Sequence, residues 1–177
     1  MRFKENKMEY ARKVVFALLI IFTAILQNTN GLFPKICNVS AMLIVPLVIS
    51  ISMFEREITA TFLGLFAGLV WDFYSARMDG FYAVILTVTA FFISYLIRRY
   101  MRNNIVTAMV YSGVVSLVTT LLYWFFFVLL GSDGGAMILV YRYLPGVLYT
   151  LILTPLYYFF IRMIYIRLSS DNKNTDI

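Results

Sequence analysis

The chain has no histidine and a single cysteine, Cys37. The first absence removes the commonest general base and the commonest zinc ligand together, so neither a Ser-His-Asp nor a Cys-His arrangement can be built. The second excludes an internal disulfide and any multi-cysteine metal site. Charge is scarce as well: 14% of the residues are Asp, Glu, Lys or Arg, against about 25% in a soluble domain. With 62% hydrophobic residues in a chain of 177, too little polar surface remains to cover a water-facing globule, and one compact membrane domain is expected. No G-x-S-x-G, H-E-x-x-H or glycine-rich phosphate loop is present. One carboxylate, Asp72, falls inside an apolar run, so paired-carboxylate chemistry lacks its second member. These absences argue against an enzyme and against any metal or cofactor.

What the chain has is apolar runs. The first, residues 14–26, follows a basic leader holding Arg2, Lys4, Lys7, Arg12 and Lys13. No A-x-A-like site follows it, so it is expected as an uncleaved span running on to about Asn30, with Arg12 and Lys13 snorkelling. Further runs cover residues 39–54 with Pro46 in the middle, 58–74, 81–97, 105–130, and 143–161 with Pro145 and Pro155, which should kink or break the last helix. The glycine-rich 131–135 segment is a turn. The runs are apolar on every face, which fits helices and not the alternating strands of a barrel. The expected architecture is all-α and polytopic, with six transmembrane helices. Residues 1–13 form a basic cytoplasmic segment, 14–166 the membrane domain, and 167–177 a disordered cytoplasmic tail.

The formal charge of +6 sits in short clusters between these runs, which suits an anionic leaflet and not nucleic acid. With the N-terminus inside, 12 of the Lys and Arg residues fall on the cytoplasmic side and 3 (Lys35, Arg77, Arg142) on the other. The positive-inside rule therefore puts both termini in the cytoplasm. Trp71, Tyr74, Tyr82, Tyr95, Tyr100, Tyr141, Tyr143 and Tyr165 fall near the predicted ends, as interfacial belts require.

The stretch Glu57, Thr61, Gly64, Gly68, Asp72 steps by three and four and so lines one stripe of a helix. Its GxxxG allows another backbone to approach closely, from a neighbouring span of this chain or from a partner. Asp72 should find a partner, with Arg77 or Arg142 as candidates, or cap the following turn. Glu55 and Glu57 complement the macrodipole of the third helix. Arg98, Arg99 and Arg102 set topology, touch anionic lipid or dock a cytoplasmic partner. Ser112, Ser116 and Thr120 beside Gly113 form a small-residue seam for another helix.

Residues 57–99, opening E-I-T-A-T-F-L-G-L-F-A-G-L-V-W-D-F-Y-S-A-R-M-D-G-F-Y-A-V, resemble the core signature of the bacterial rod shape-determining protein MreD family. That family shows a polar entry, G-x3-G-x3-D closing a span, a short turn with a glycine, and another span. The corresponding positions are Glu57, Gly64, Gly68, Asp72 and Gly80. Gln27, Pro155 and the basic termini also agree, whereas the family's proline opening the second span is replaced by Asn38, Val39 and Ser40, with Pro46 further in. The resemblance implies a non-enzymatic plasma-membrane component of the cell-elongation complex. It would bind MreC and connect the MreB cytoskeleton to RodA and a class B penicillin-binding protein. It also implies a fold similar to the substrate-binding subunits of energy-coupling-factor transporters. Two roles follow as expectations. In one, the Gly64–Gly68–Asp72 stripe receives a partner's helix, so that Gly68→Leu or Asp72→Leu abolishes co-purification while the spans still insert. In the other, a vitamin-type subunit holds a ligand among Asp72, Tyr82, Arg142 and Tyr143.

Overall fold

The computed structural model describes residues 2–29, 42–74, 80–101, 103–125 and 144–170. Among the described residues all regular structure is helical. The helices are α1 (Arg2–Asn28), α2 (Ile44–Phe54), α3 (Glu57–Tyr74), α4 (Phe81–Arg99), α5 (Ile105–Tyr123) and α6 (Leu144–Ser170). Three of them are long and apolar enough to cross a bilayer: Phe81–Arg99, Ile105–Tyr123 and Pro145–Leu168.

Successive helices run in opposite directions, as the contacts at the two ends of the bundle show. At one end the start of α3 meets the end of α4 (Glu57–Arg98). There the α4–α5 turn also joins the ends of α2 and α6, through Asn103, Met53 and Tyr158. At the other end Gln27 of α1 and Thr150 of α6 meet the start of α2. Asp72 of α3 meets the start of α4 there too. Arg12, Arg56, Arg98, Arg99, Arg162 and Arg167 all fall toward the first end, called here the basic end.

The surface inverts the order of a soluble protein. Val14, Leu18 and Phe22 of α1, Phe62, Leu69 and Phe73 of α3, Val84, Val88 and Phe92 of α4, Val106, Val110 and Val114 of α5, and Ile152, Leu156 and Phe159 of α6 are all exposed. Ser50, Ser52, Glu55, Asp72, Ser94, Ser112, Thr119, Thr150 and Thr154 are buried. A belt of branched and aromatic side chains around a partly polar interior has hydrocarbon as its natural solvent.

At the centre lies α2. Ile44 through Met53 are all buried, and the helix packs against α1, α3, α4, α5 and α6. It is hydrophobic on all sides because it has protein on all sides. The described helix is shorter than the 39–54 run: 11 residues span about 16 Å, half of a hydrocarbon core of about 30 Å. Pro46, expected mid-helix, sits in the first turn, where its missing N–H has no intrahelical acceptor to lose. Side chains from both chain-terminal helices meet the backbone here. The Ile44 N–H donates to Gln27 Oε1 (3.1 Å) and the Met42 N–H to Thr150 Oγ1 (3.2 Å). Ser50 and Ser52 satisfy their hydroxyls on the Pro46 and Val48 carbonyls, at 2.7 Å each.

The ends of the chain depart from expectation in one direction: both are more helical. The basic leader belongs to α1 from Arg2 onward. The last helix runs unbroken through Pro155 and beyond Ile161 to Ser170, so helix occupies part of the segment expected as disordered tail. A break at Pro155 would free several backbone groups in an apolar setting, whereas continuing forfeits one hydrogen bond. The tail beyond Ser170, the 131–135 turn, Lys35, Cys37, Arg77, Arg102, Tyr141, Arg142 and Tyr143 lie outside the described residues.

Candidate functional site

The predicted stripe exists, and α4 covers it. Gly64, Gly68 and Asp72 are buried. A Cβ on Gly64 would stand 2.6 Å from Ala90 Cβ and 2.7 Å from the Leu86 carbonyl oxygen. One on Gly68 would stand 2.6 Å from both the Ala83 nitrogen and the Tyr82 carbonyl oxygen. The small-residue seam thus closes an intramolecular α3–α4 hairpin and leaves no room on that face for a partner's helix. Of the two neighbours the GxxxG allowed, a span of the same chain is the one seated on it.

Asp72 completes the same hairpin. Its Oδ1 accepts the Tyr82 N–H (3.1 Å) and its Oδ2 the Ala83 N–H (2.9 Å), two of the donors that the first turn of α4 leaves open. A carboxylate at this position also complements the positive end of the helix dipole. Gly80, just before α4, has φ 68°, a left-handed conformation that a side chain would strain. Trp71, expected in an interfacial belt, is buried and stacks on Tyr82 with ring centroids 4.1 Å apart. Tyr74, Tyr95 and Tyr100 are exposed near helix ends, as the belt requires.

Glu57 opens α3 as expected and lies 3.7 Å from Arg98 Nε. Arg98 and Arg99 are exposed in the last turn of α4. Glu55 is different. It is the C-cap of α2 and is 2% exposed, not a solvated carboxylate at the start of α3. Both its oxygens engage Arg12: Oε1 meets Nε, and Oε2 accepts from Nη2 at 3.1 Å. Arg12 therefore points inward and does not snorkel. Its guanidinium lies 4.9 Å from the Tyr165 ring centroid, and Tyr165 packs on Phe54, which packs on Tyr158. Tyr158 donates to Asn103 Oδ1 (3.2 Å), Asn103 Nδ2 donates to the Met53 carbonyl (3.1 Å), and Ser94 donates to the Glu55 carbonyl (2.8 Å). This network ties α1, α2, α4, α6 and the α4–α5 turn together at the basic end. Sequence reasoning missed it; the one available signal was an Arg and a Glu each at the edge of an apolar run.

Among the described residues, an apolar concavity lies between α5 and α6. Ser112 and Thr154 hydroxyls join these helices at 2.7 Å, and the expected Ser112–Ser116 seam is buried inside the bundle. Beside it runs an open apolar groove of about 550 Å³, lined by Met109, Gly113, Leu117, Leu121, Val147 and Leu151 among others. Here a Cβ on Gly113 would meet only the tip of Leu151, at 3.6 Å. Among the described residues no group of three or more His, Cys, Asp or Glu side chains is placed to hold a metal.

No family model matches the chain, and neither a curated protein nor a solved structure is significantly similar to it.

Proposed function

We propose that this chain is a non-enzymatic component of the bacterial cell-elongation complex, a six-span plasma-membrane protein with both termini in the cytoplasm. In this reading it binds MreC and, through it, links MreB to RodA and a class B penicillin-binding protein. The resemblance of the G-x3-G-x3-D segment to the MreD family supports the assignment. The clustering of arginines at one end of the bundle supports the orientation. One observation carries the mode of action. Among the described residues, Asp72 and Glu55 are buried and engaged by α4 and by Arg12, and Glu57 is paired with Arg98 at the surface. The outward faces are apolar. Such a molecule acts through its surface, and the α5–α6 groove is an apolar concavity in that surface.

The test is co-purification with MreC from detergent-solubilised membranes, comparing the native chain with Gly113→Phe, which fills the groove without touching the α3–α4 hairpin. Loss of MreC with normal insertion and yield is the expected outcome. No recovery of MreC by the native chain would refute the assignment, and equal recovery by both chains would exclude the groove.

A second reading has one observation in its favour. The Ser116, Thr119 and Thr120 hydroxyls and Trp124 Nε1 are buried without a hydrogen-bond partner, which a bound polar molecule would relieve. A vitamin-type subunit of an energy-coupling-factor transporter would retain such a molecule through purification. Native mass spectrometry of the purified chain distinguishes this from the scaffold.

A further inference from the structure

We propose that the cleft at the basic end between the α4–α5 turn, the start of α5 and the second half of α6 binds the phosphate of an anionic lipid headgroup. The cleft measures about 380 Å³, and Asn103, Asn104, Tyr158 and Arg162 supply its polar wall.

Charge is the first argument. Each described carboxylate side chain toward this end already has a cation: Glu9 with Lys13 (3.5 Å), Glu55 with Arg12, and Glu57 with Arg98 (3.7 Å). Among the described side chains, Arg56, Arg99, Arg162 and Arg167 have no carboxylate partner, and Arg162 is the one that lines the cleft.

The second argument is the supply of donors. Asn103 donates its amide N–H to the Met53 carbonyl and accepts from Tyr158; it holds the wall in place. Asn104 is the N-cap residue of α5, yet its side chain makes no capping bond. The N–H groups of Ile105 and Val106 have no intrahelical acceptor. An anion in the cleft would meet the Asn104 amide, the positive end of α5 and the Arg162 guanidinium together.

Position selects the source of the phosphate. Phe159, which is exposed in the apolar belt, lines the cleft, and Val106, next in sequence to the lining Ile105, is exposed as well. A ligand seated here has its polar head among donors and its body against hydrocarbon-facing side chains. Unmatched positive charge favours a headgroup of net negative charge over a zwitterionic one, whose ammonium would face the same arginines. The inference does not depend on the partner reading above, since it concerns lipid alone.

The test uses the full chain, delipidated in detergent, with thermal unfolding followed on addition of phosphatidylglycerol, phosphatidylcholine or inorganic phosphate. Phosphatidylglycerol should protect the native chain and phosphatidylcholine should protect it far less. Arg162→Gln should bind phosphatidylglycerol about tenfold more weakly, the equivalent of one charge-assisted hydrogen bond. Arg167→Gln, which removes an exposed cation of the same helix outside the cleft, should bind as the native chain does. Asn104→Asp exchanges one preferred N-cap residue type for another, but puts a carboxylate in the cleft and should weaken binding at least as much. Equal responses from Arg162→Gln and Arg167→Gln would overturn the site. Protection by inorganic phosphate equal to that by phosphatidylglycerol would overturn the assignment to lipid.

Discussion

Replacing Gly68 by alanine adds one methyl group at the tightest crossing of α3 and α4. Its carbon would stand 2.6 Å from the Ala83 nitrogen and the Tyr82 carbonyl oxygen, whereas ordinary contact begins at 3.4 Å. The colliding atoms are backbone, and the Ala83 Cα lies nearer still, so no rotamer change relieves the overlap and the helices must separate by more than about 0.8 Å, the difference of those distances. Overpacking of this kind costs about 1–3 kcal/mol. The shift also stretches the two bonds from Asp72 to Tyr82 and Ala83, now 3.1 and 2.9 Å, for about another 1 kcal/mol. Alanine's better helix propensity returns about 1 kcal/mol. A net destabilisation of about 1–3 kcal/mol is expected. Gly113→Ala receives the same propensity gain but meets only a leucine side chain at 3.6 Å, so it should be neutral or slightly stabilising. The pair can be compared by reversible unfolding in mixed micelles, using the fluorescence of Trp71, which stacks on Tyr82 at this crossing. Stabilities of the two variants within about 0.5 kcal/mol of each other, the scatter of neutral surface substitutions, would refute close backbone approach at Gly68.

Arg12→Ala leaves Glu55 buried without a counter-ion and should destabilise by about 3–5 kcal/mol. The double variant Arg12→Met with Glu55→Leu should recover most of that loss in the same unfolding assay. A single variant as stable as the native chain would deny the pair its buried character. Asp72→Asn retains an acceptor for one of the two α4 donors but turns an N–H toward the other. A loss of about 1–3 kcal/mol is expected, with faster amide exchange at Tyr82 and Ala83 by hydrogen-exchange mass spectrometry.

The α3–α4 hairpin was legible in the sequence because its signals are local. Glycines at 64 and 68 and a carboxylate at 72 share one face by helical geometry alone, and a cap ten residues downstream follows from a short turn. The apolar runs were legible as helices for the same reason. What escaped was set by tertiary placement. Arg12 and Glu55 are 43 residues apart in sequence, and nothing local distinguishes an arginine that reaches inward from one that reaches for headgroups. The 39–54 run reads as one span with Pro46 in its middle, whereas the described helix starts at Ile44, two residues before that proline. Trp71 was assigned by its nearness to a helix end, although its ring turns toward Tyr82 and the bundle. The partner face of the GxxxG was open in the sequence because close approach has the same signature whether the second helix is the chain's own or another's.

The enclosure of α2 bears on the order in which the molecule is assembled. An early segment whose every side needs a neighbour, and whose entry is hydrogen-bonded by the first and last helices, cannot reach its resting place while the ribosome is still making the remainder. It must wait in a provisional location until α6 emerges, and the bundle then closes around it. Loss of the final helix would therefore undo the middle of the protein along with its end.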